Sequence, residues 1–238
     1  MMSKINTNIK DKIIVALDYS DEKTALSIAE KVAPYVGVFK VGFELFISAG
    51  PSIVSKIHSL GGKVFLDLKF HDIPNTVAKA AASAADMNVF ILNVHASGGL
   101  EMMKKAAEEI KKSKNHPILI AVTVLTSMNS GILKNELNIA STAAEQVVRL
   151  AKLAKEAGLS GVVASGEEIT SIKNACGKDF KVIVPGVRPD WSAKNDQKRI
   201  VTPEEAIERG ADFIVVGRPI TGAENVVEAA KKILSEIS

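Results

Sequence analysis

The sequence predicts a (β/α)8 barrel, on three observations. Eight short apolar runs alternate with amphipathic helical patterns from one end of the chain to the other. The runs are nearly continuous in Val, Ile, Leu and Ala, the pattern of parallel strands covered on both faces. The length of 238 residues matches one barrel of about 250 residues, with nothing left over for a second core. A doubly wound open sheet is the alternative. It would need a switch-point crevice, and no Gly-x-Gly-x-x-Gly follows the first strand.

The expected strands are residues 13–18, 38–42, 63–69, 90–96, 118–125, 161–165, 181–187 and 212–218. Between them run helices with recognisable starts and stops. Ala25, Ile28, Ala29, Val32 and Ala33 form one stripe at helical spacing, which stops near residues 34–37. Pro51 opens the next helix, with Ile53, Val54, Ile57 and Leu60 inward and Gly61-Gly62 closing it. Leu100, Met103, Ala107 and Ile110 mark a third helix, and Ala143, Val147, Leu150 and Ala154 a longer one. Thr202-Pro203-Glu204-Glu205 combines a capping box with proline at the first helical position. Thr221 and Glu224 repeat the capping-box spacing before a final stripe at residues 226–237. Residues 1–12 read as a polar lead-in, and residues 1–238 as a single barrel domain.

Composition narrows the function classes. The chain is 47% hydrophobic and 24% charged, with a net charge of +3. No Lys/Arg-rich block or basic stripe with aromatics points to nucleic acid. A single cysteine, Cys176, excludes an intramolecular disulfide and any multi-cysteine metal site. No apolar run approaches a membrane span, and the N-terminus lacks a signal-peptide core, so the expected compartment is the cytoplasm.

The third strand departs from the pattern. Residues 65–77 read FLDLKFHDIPNTV, and side chains alternate along a strand, so Asp67 and Lys69 share a face. Asp72 follows where the strand gives way to a loop. Burying charge costs several kcal/mol unless it is paired, so either a structural ion-pair network or a functional site explains these residues. Other strand ends favour the second reading. Asp18 follows strand one, Lys40 lies near the end of strand two, and His95 ends strand four. Thr126 and Ser127 follow strand five, Ser165 ends strand six, Arg188 follows strand seven, and Gly217-Arg218 ends strand eight. Barrel enzymes carry their active sites at these ends.

Gly217-Arg218 also sits where barrels bind phosphate, with Arg188 after the neighbouring strand. Between the two arginines runs a polar loop, 189–201, too long for a plain connection and expected to act as a lid. Trp191 is expected to anchor that loop. His58 and His116 read as surface residues, and His71 and His95 as support for the charged shell.

The unbroken run from Asp67 through Thr76 resembles the signature of the orotidine 5′-phosphate decarboxylase family. IIVALD, FKVGFELF, NVHASGG, VTVLTSM, VPGVRP and FIVVGRPIT resemble further blocks of that family, in its order. The resemblance implies decarboxylation of orotidine 5′-phosphate to UMP, the last step of UMP synthesis, without metal or cofactor. It implies that Lys69 donates the proton, that Asp67 lies beside the departing carboxylate, and that Lys40 and Asp72 complete an alternating charge array. Asp18, Lys40 and Thr76 would bind ribose hydroxyls or order the array. Thr126-Ser127 would reach the pyrimidine edge, and Gln197 would lie over phosphate and base. It further implies a homodimer in which Asp72 and Thr76 enter the partner's site. The rival reading is a Mg²⁺-dependent sugar-phosphate decarboxylase or aldolase on the same barrel, with Glu44 as the extra acidic ligand. A non-enzymatic nucleotide-binding barrel should have lost a member of the array, and none is missing.

Overall fold

In the computed structural model, which describes residues 8–192 and 201–238, eight parallel strands close a barrel in sequence order. They are β1 (Ile13–Ala16), β2 (Val38–Gly42), β3 (Lys63–Phe70), β4 (Ile91–His95), β5 (Ile118–Val122), β6 (Gly161–Val163), β7 (Lys181–Pro185) and β8 (Phe213–Val216). The helices around them are α1 (Glu22–Val32), α2 (Phe43–Ala49), α3 (Ser52–Ser59), α4 (Pro74–Asp86), α5 (Gly99–Lys112) and α6 (Ser130–Asn135). They continue with α7 (Ala143–Glu156), α8 (Ile169–Cys176), α9 (Pro203–Glu208), α10 (Arg218–Thr221) and α11 (Val226–Glu236).

Strand alternation divides the apolar residues into two layers. Ile14, Val38, Phe65, Ile91, Ile120, Ile183 and Phe213 point inward and fill the barrel. Their neighbours Val15, Phe39, Leu66, Leu92, Ala121, Val184 and Ile214 point outward and pack under the helices. Phe65 therefore shares the inner face with Asp67, while Leu66 belongs to the outer layer.

Several strands end earlier than their apolar runs do. The runs at 13–18 and 118–125 yield strands that stop at Ala16 and Val122, because the remaining residues leave the ladder to form the mouth. Two short helices, α2 directly after β2 and α6 after β5, form where only connections were expected. The capping box at Thr202 forms as expected, with Thr202 Oγ1 accepting from the Glu205 amide and Glu205 Oε2 accepting from the Thr202 amide, each at 3.2 Å. The expected cap at Thr221 does not form. Asn225 caps α11 instead, its Oδ1 accepting from the amides of Val227 and Glu228. The expected lead-in supplies part of the barrel floor, where buried Asp11 pairs with Lys63 at 2.8 Å.

Candidate active site

The site begins with a break in the sheet. β3 and β4 pair Phe65 with Ile91 and Leu66 with Leu92, and then Phe70 with Val94. Asp67, Leu68 and Lys69 thus stand opposite Asn93 alone, a bulge of the kind that re-aims side chains beside active sites. Lys69 takes a left-handed backbone, φ +44°, which costs a non-glycine residue about 1–2 kcal/mol.

Around the bulge four charged side chains form an alternating chain. Asp18 Oδ1 lies 2.8 Å from Lys40 Nζ, Lys40 Nζ lies 3.4 Å from Asp67 Oδ2, and Lys69 Nζ lies 2.7 Å from Asp67 Oδ1. Lys40 is diagonal to Asp67 on the inner face, since Gly42 is the register partner of Asp67. A Cβ at Gly42 would lie only 3.2 Å from Lys40 Nζ, so glycine here leaves room for the Asp18–Lys40 pair to cross the strand end.

Burial alone would push the Asp67 carboxyl up, as the residue is only 7% exposed. The ammonium groups of Lys40 and Lys69, with hydrogen bonds from Lys69 and Asn93, outweigh burial and hold it below its ordinary value. Asp67 is therefore ionised at neutral pH. His95 lies nearby, its ring 5.5 Å from that of His71. Burial, helped by the charges of His71 and Lys69, holds the His95 imidazole below its usual range. His95 is neutral at pH 7, which fits support of the charged shell better than proton donation.

Lys40, Asp67, Lys69 and Asn93 line one wall of a cavity of about 170 Å³. The opposite wall is apolar: Val122, Val163, Pro185 and Val215. Thr126 is also on the lining, in the turn after β5 closed by the Met128 amide on the Leu125 carbonyl. Ser127, in the same turn, is exposed.

The remaining expected residues fall into different places. Gly217 and Arg218 leave β8, three strands round the ring from β3, and Arg218 opens the short helix α10 with its side chain exposed. A Cβ at Gly217 would meet nothing nearer than Ala16 Cβ at 3.7 Å, so packing alone does not demand glycine there. Arg188, expected at the mouth after strand seven, is only 5% exposed, and its backbone amide donates to the Val201 carbonyl at 3.0 Å. Gln197 lies outside the described residues. Trp191 anchors the start of its loop to α11, donating to Glu236 Oε1 at 2.7 Å with Lys232 Nζ over its ring.

Asp72 does not join the array within its own chain. Its Oδ1 accepts from the Ile73 amide at 2.6 Å, and among the described residues it pairs with no lysine. Asp72 and Thr76 are both exposed, and Ile73 between them is 67% exposed.

No group of three or more His, Cys, Asp and Glu side chains among the described residues has metal-site geometry. Glu44, considered as an extra acidic ligand, is exposed on α2. The Asp67 oxygens are occupied by lysine and amide donors instead.

Sequence reasoning passed over Asn93 and Gly42. The signal for Asn93 was available, a lone amide in the otherwise apolar run ILNV. Gly42 carried no such signal, because only the register reveals what crosses it.

A parallel barrel with alternating charges around a buried carboxylate at the strand ends, and an arginine opening a short helix after the last strand, defines a barrel enzyme for an anionic small molecule. Residues 11–233 match the orotidine 5′-phosphate decarboxylase / HUMPS family, and the chain belongs to that family. It is 52% identical over 234 residues to the orotidine 5′-phosphate decarboxylase of Syntrophomonas wolfei, covering 96% of this chain and 98% of the relative. It is 48% identical to that of Moorella thermoacetica, covering 100% of this chain and 96% of the relative. Among solved structures, the decarboxylase from Lactobacillus acidophilus superposes with a TM-score of 0.85 at 39% identity, over 96% of this chain and 99% of that one. The enzyme from Methanocaldococcus jannaschii, complexed with the inhibitor BMP, gives 0.76 at 28% identity, over 96% and 99%.

Proposed function

We propose that this chain decarboxylates orotidine 5′-phosphate to UMP, and that Lys69 provides the chemistry. The observation that carries the proposal is the Lys69 ammonium, 2.7 Å from an ionised Asp67, on the polar wall of an otherwise apolar cavity. Breaking the bond between C6 and the carboxylate releases CO₂ and leaves the electron pair on C6, in an orbital orthogonal to the ring π system. The ring cannot delocalise that pair. An ammonium beside C6 stabilises it electrostatically and then transfers a proton to form the C–H bond, leaving a neutral amine that solvent reprotonates.

Asp67 would stand beside the substrate carboxylate. Like charges near 4 Å repel by about 4 kcal/mol at an effective dielectric of 20, and departure of CO₂ relieves that repulsion. Asp18 and Lys40 extend the Asp67–Lys69 pair into an alternating chain of charges. Lysine thus supplies the positive charge that a metal or electron sink would supply in other decarboxylases. The rival Mg²⁺-dependent reading would have to displace Lys40 or Lys69 from Asp67.

At about 170 Å³ the cavity suits the base alone. Ribose and phosphate would run out past Asp18 and Thr126 towards Gly217 and Arg218, with Ser127, Gln197 and Arg188 completing the phosphate and base contacts. Asp72 and Thr76 would act in a partner subunit of a two-fold dimer. Their exposure supports this, as does exposed apolar surface on α2. Phe43 and Ile47, one turn apart on α2, are 52% and 79% exposed, and Phe43 lies 5.5 Å from Lys69 Nζ.

The test is an absorbance assay for conversion of orotidine 5′-phosphate to UMP, with and without EDTA. Turnover that survives EDTA is expected. Absence of turnover overturns the reading, and turnover abolished by EDTA but restored by Mg²⁺ transfers it to the rival.

A further inference from the structure

We propose that Asn93 is a positioning residue for this reaction, the side chain that keeps β3 bulged so that Lys69 faces the substrate. The inference rests on the reading of Lys69 as proton donor. Asn93 is fully buried, on the inner face of β4 between Ile91 and His95, and its register partner on β5 is the apolar Ile120. A buried amide is costly unless all its groups are used, and this one is used on both sides. Its Oδ1 accepts from the Lys69 amide at 2.8 Å, and its Nδ2 donates to Asp67 Oδ1 at 2.6 Å.

The first bond replaces a rung of the ladder. Where three residues of β3 face one of β4, the Lys69 N–H has no strand carbonyl opposite it. The Asn93 side chain fills that gap and holds Lys69 in its left-handed backbone. Because the Lys69 peptide can only donate, the amide must turn its NH₂ towards Asp67, the orientation an ionised carboxylate accepts. Asp67 Oδ1 therefore receives both Asn93 Nδ2 and Lys69 Nζ, which fixes the carboxylate and the ammonium against each other. One side chain sets the backbone of the donor and the orientation of its counter-charge. Serine or alanine could do neither, and aspartate could do only the first.

Charged and titratable groups face Asn93 from β2 and β3 (Lys40, Asp67 and Lys69) and from its own strand (His95, with His71 behind it). On β5 its register partner is the apolar Ile120. Two variants test the role beside the parent enzyme. Asn93→Ala should lower kcat by about 100-fold, the scale of a misplacement near 1 Å. Its affinity for UMP should stay within about threefold, since the phosphate and ribose contacts are elsewhere. In its crystal structure Lys69 should leave the left-handed region. Asn93→Asp keeps the acceptor for Lys69 but sets two carboxylates face to face, so one must be protonated to mimic the amide. Its kcat should fall as pH rises from 5.5 to 8, where the parent is flat.

An inactive parent would remove the functional reading, yet the backbone of Lys69 in Asn93→Ala would still decide whether Asn93 holds the bulge. With an active parent, the proposal is overturned by kcat within about threefold in Asn93→Ala, by an unchanged Lys69 φ, or by a profile for Asn93→Asp parallel to that of the parent. Should Asn93→Ala fail to fold, the pH profile of the nearly isosteric Asn93→Asp decides alone.

Discussion

Lys69 reaches Asp67 from a backbone that has left its strand: its Nζ lies 2.7 Å from Asp67 Oδ1 while its φ is +44°. In a regular strand these residues would project in parallel from one face, about 7 Å apart along the chain. The bulge turns that spacing into contact. Residues in such sparsely populated regions cluster at functional sites, where the surrounding structure holds them in place.

Lys69→Ala should abolish turnover and leave the fold intact, because the proton donor and the main counter-charge are removed together. The variant should still bind UMP, measured by calorimetry. Turnover within about tenfold of the parent would remove Lys69 from its role.

Arg218→Ala, or a substrate lacking its phosphate, should lose turnover as well as affinity. The phosphate lies far from C6, but binding it can order the mouth around the base. Steady-state kinetics decide this. A rise in KM with kcat unchanged would mean that the phosphate grip acts equally on ground and transition states.

Acid stability should report the ionisation of Asp67. Its folded-state pKa lies below the ordinary value of 3.8, so folding favours the charged form. That contribution is complete above the unfolded-state pKa and is lost as pH falls through the lower folded-state value. The difference in unfolding free energy between the parent and Asp67→Asn should be level from neutral pH to about 5 and should decline below about 4. Denaturant titrations at matched concentration measure it, and a difference that stays level into acid would contradict the ionised assignment.

Asp72 should work across a subunit boundary. Lys69→Ala and Asp72→Ala homodimers, each nearly inactive, should regain activity when mixed, dissociated and reassociated. In a hybrid, one site inherits both defects, while the other combines an intact Lys69 with an intact Asp72 from the opposite chain. Random pairing makes about half the dimers hybrid, so roughly a quarter of all sites should work. No recovery, with hybrids confirmed by mass spectrometry, would show that Asp72 acts in its own subunit.

The barrel, the mouth and most of the charged residues were legible in the sequence because each depends on a local period. Alternating apolar runs and helical stripes repeat eight times, and charges inside apolar strands stand out against them. Asp18, Lys40, Asp67 and Lys69 could therefore be named from the sequence, and the structure joins them in one chain of contacts. What needed the tertiary structure was everything that depends on register between neighbours. The bulge opposite Asn93, the glycine under Lys40, the burial of Arg188 and the separation of Asp72 from Lys69 arise where two segments meet. A single strand carries no record of what its neighbour places opposite it. Periodicity assigns a residue to a face, but only closure of the barrel determines which side chains on that face touch.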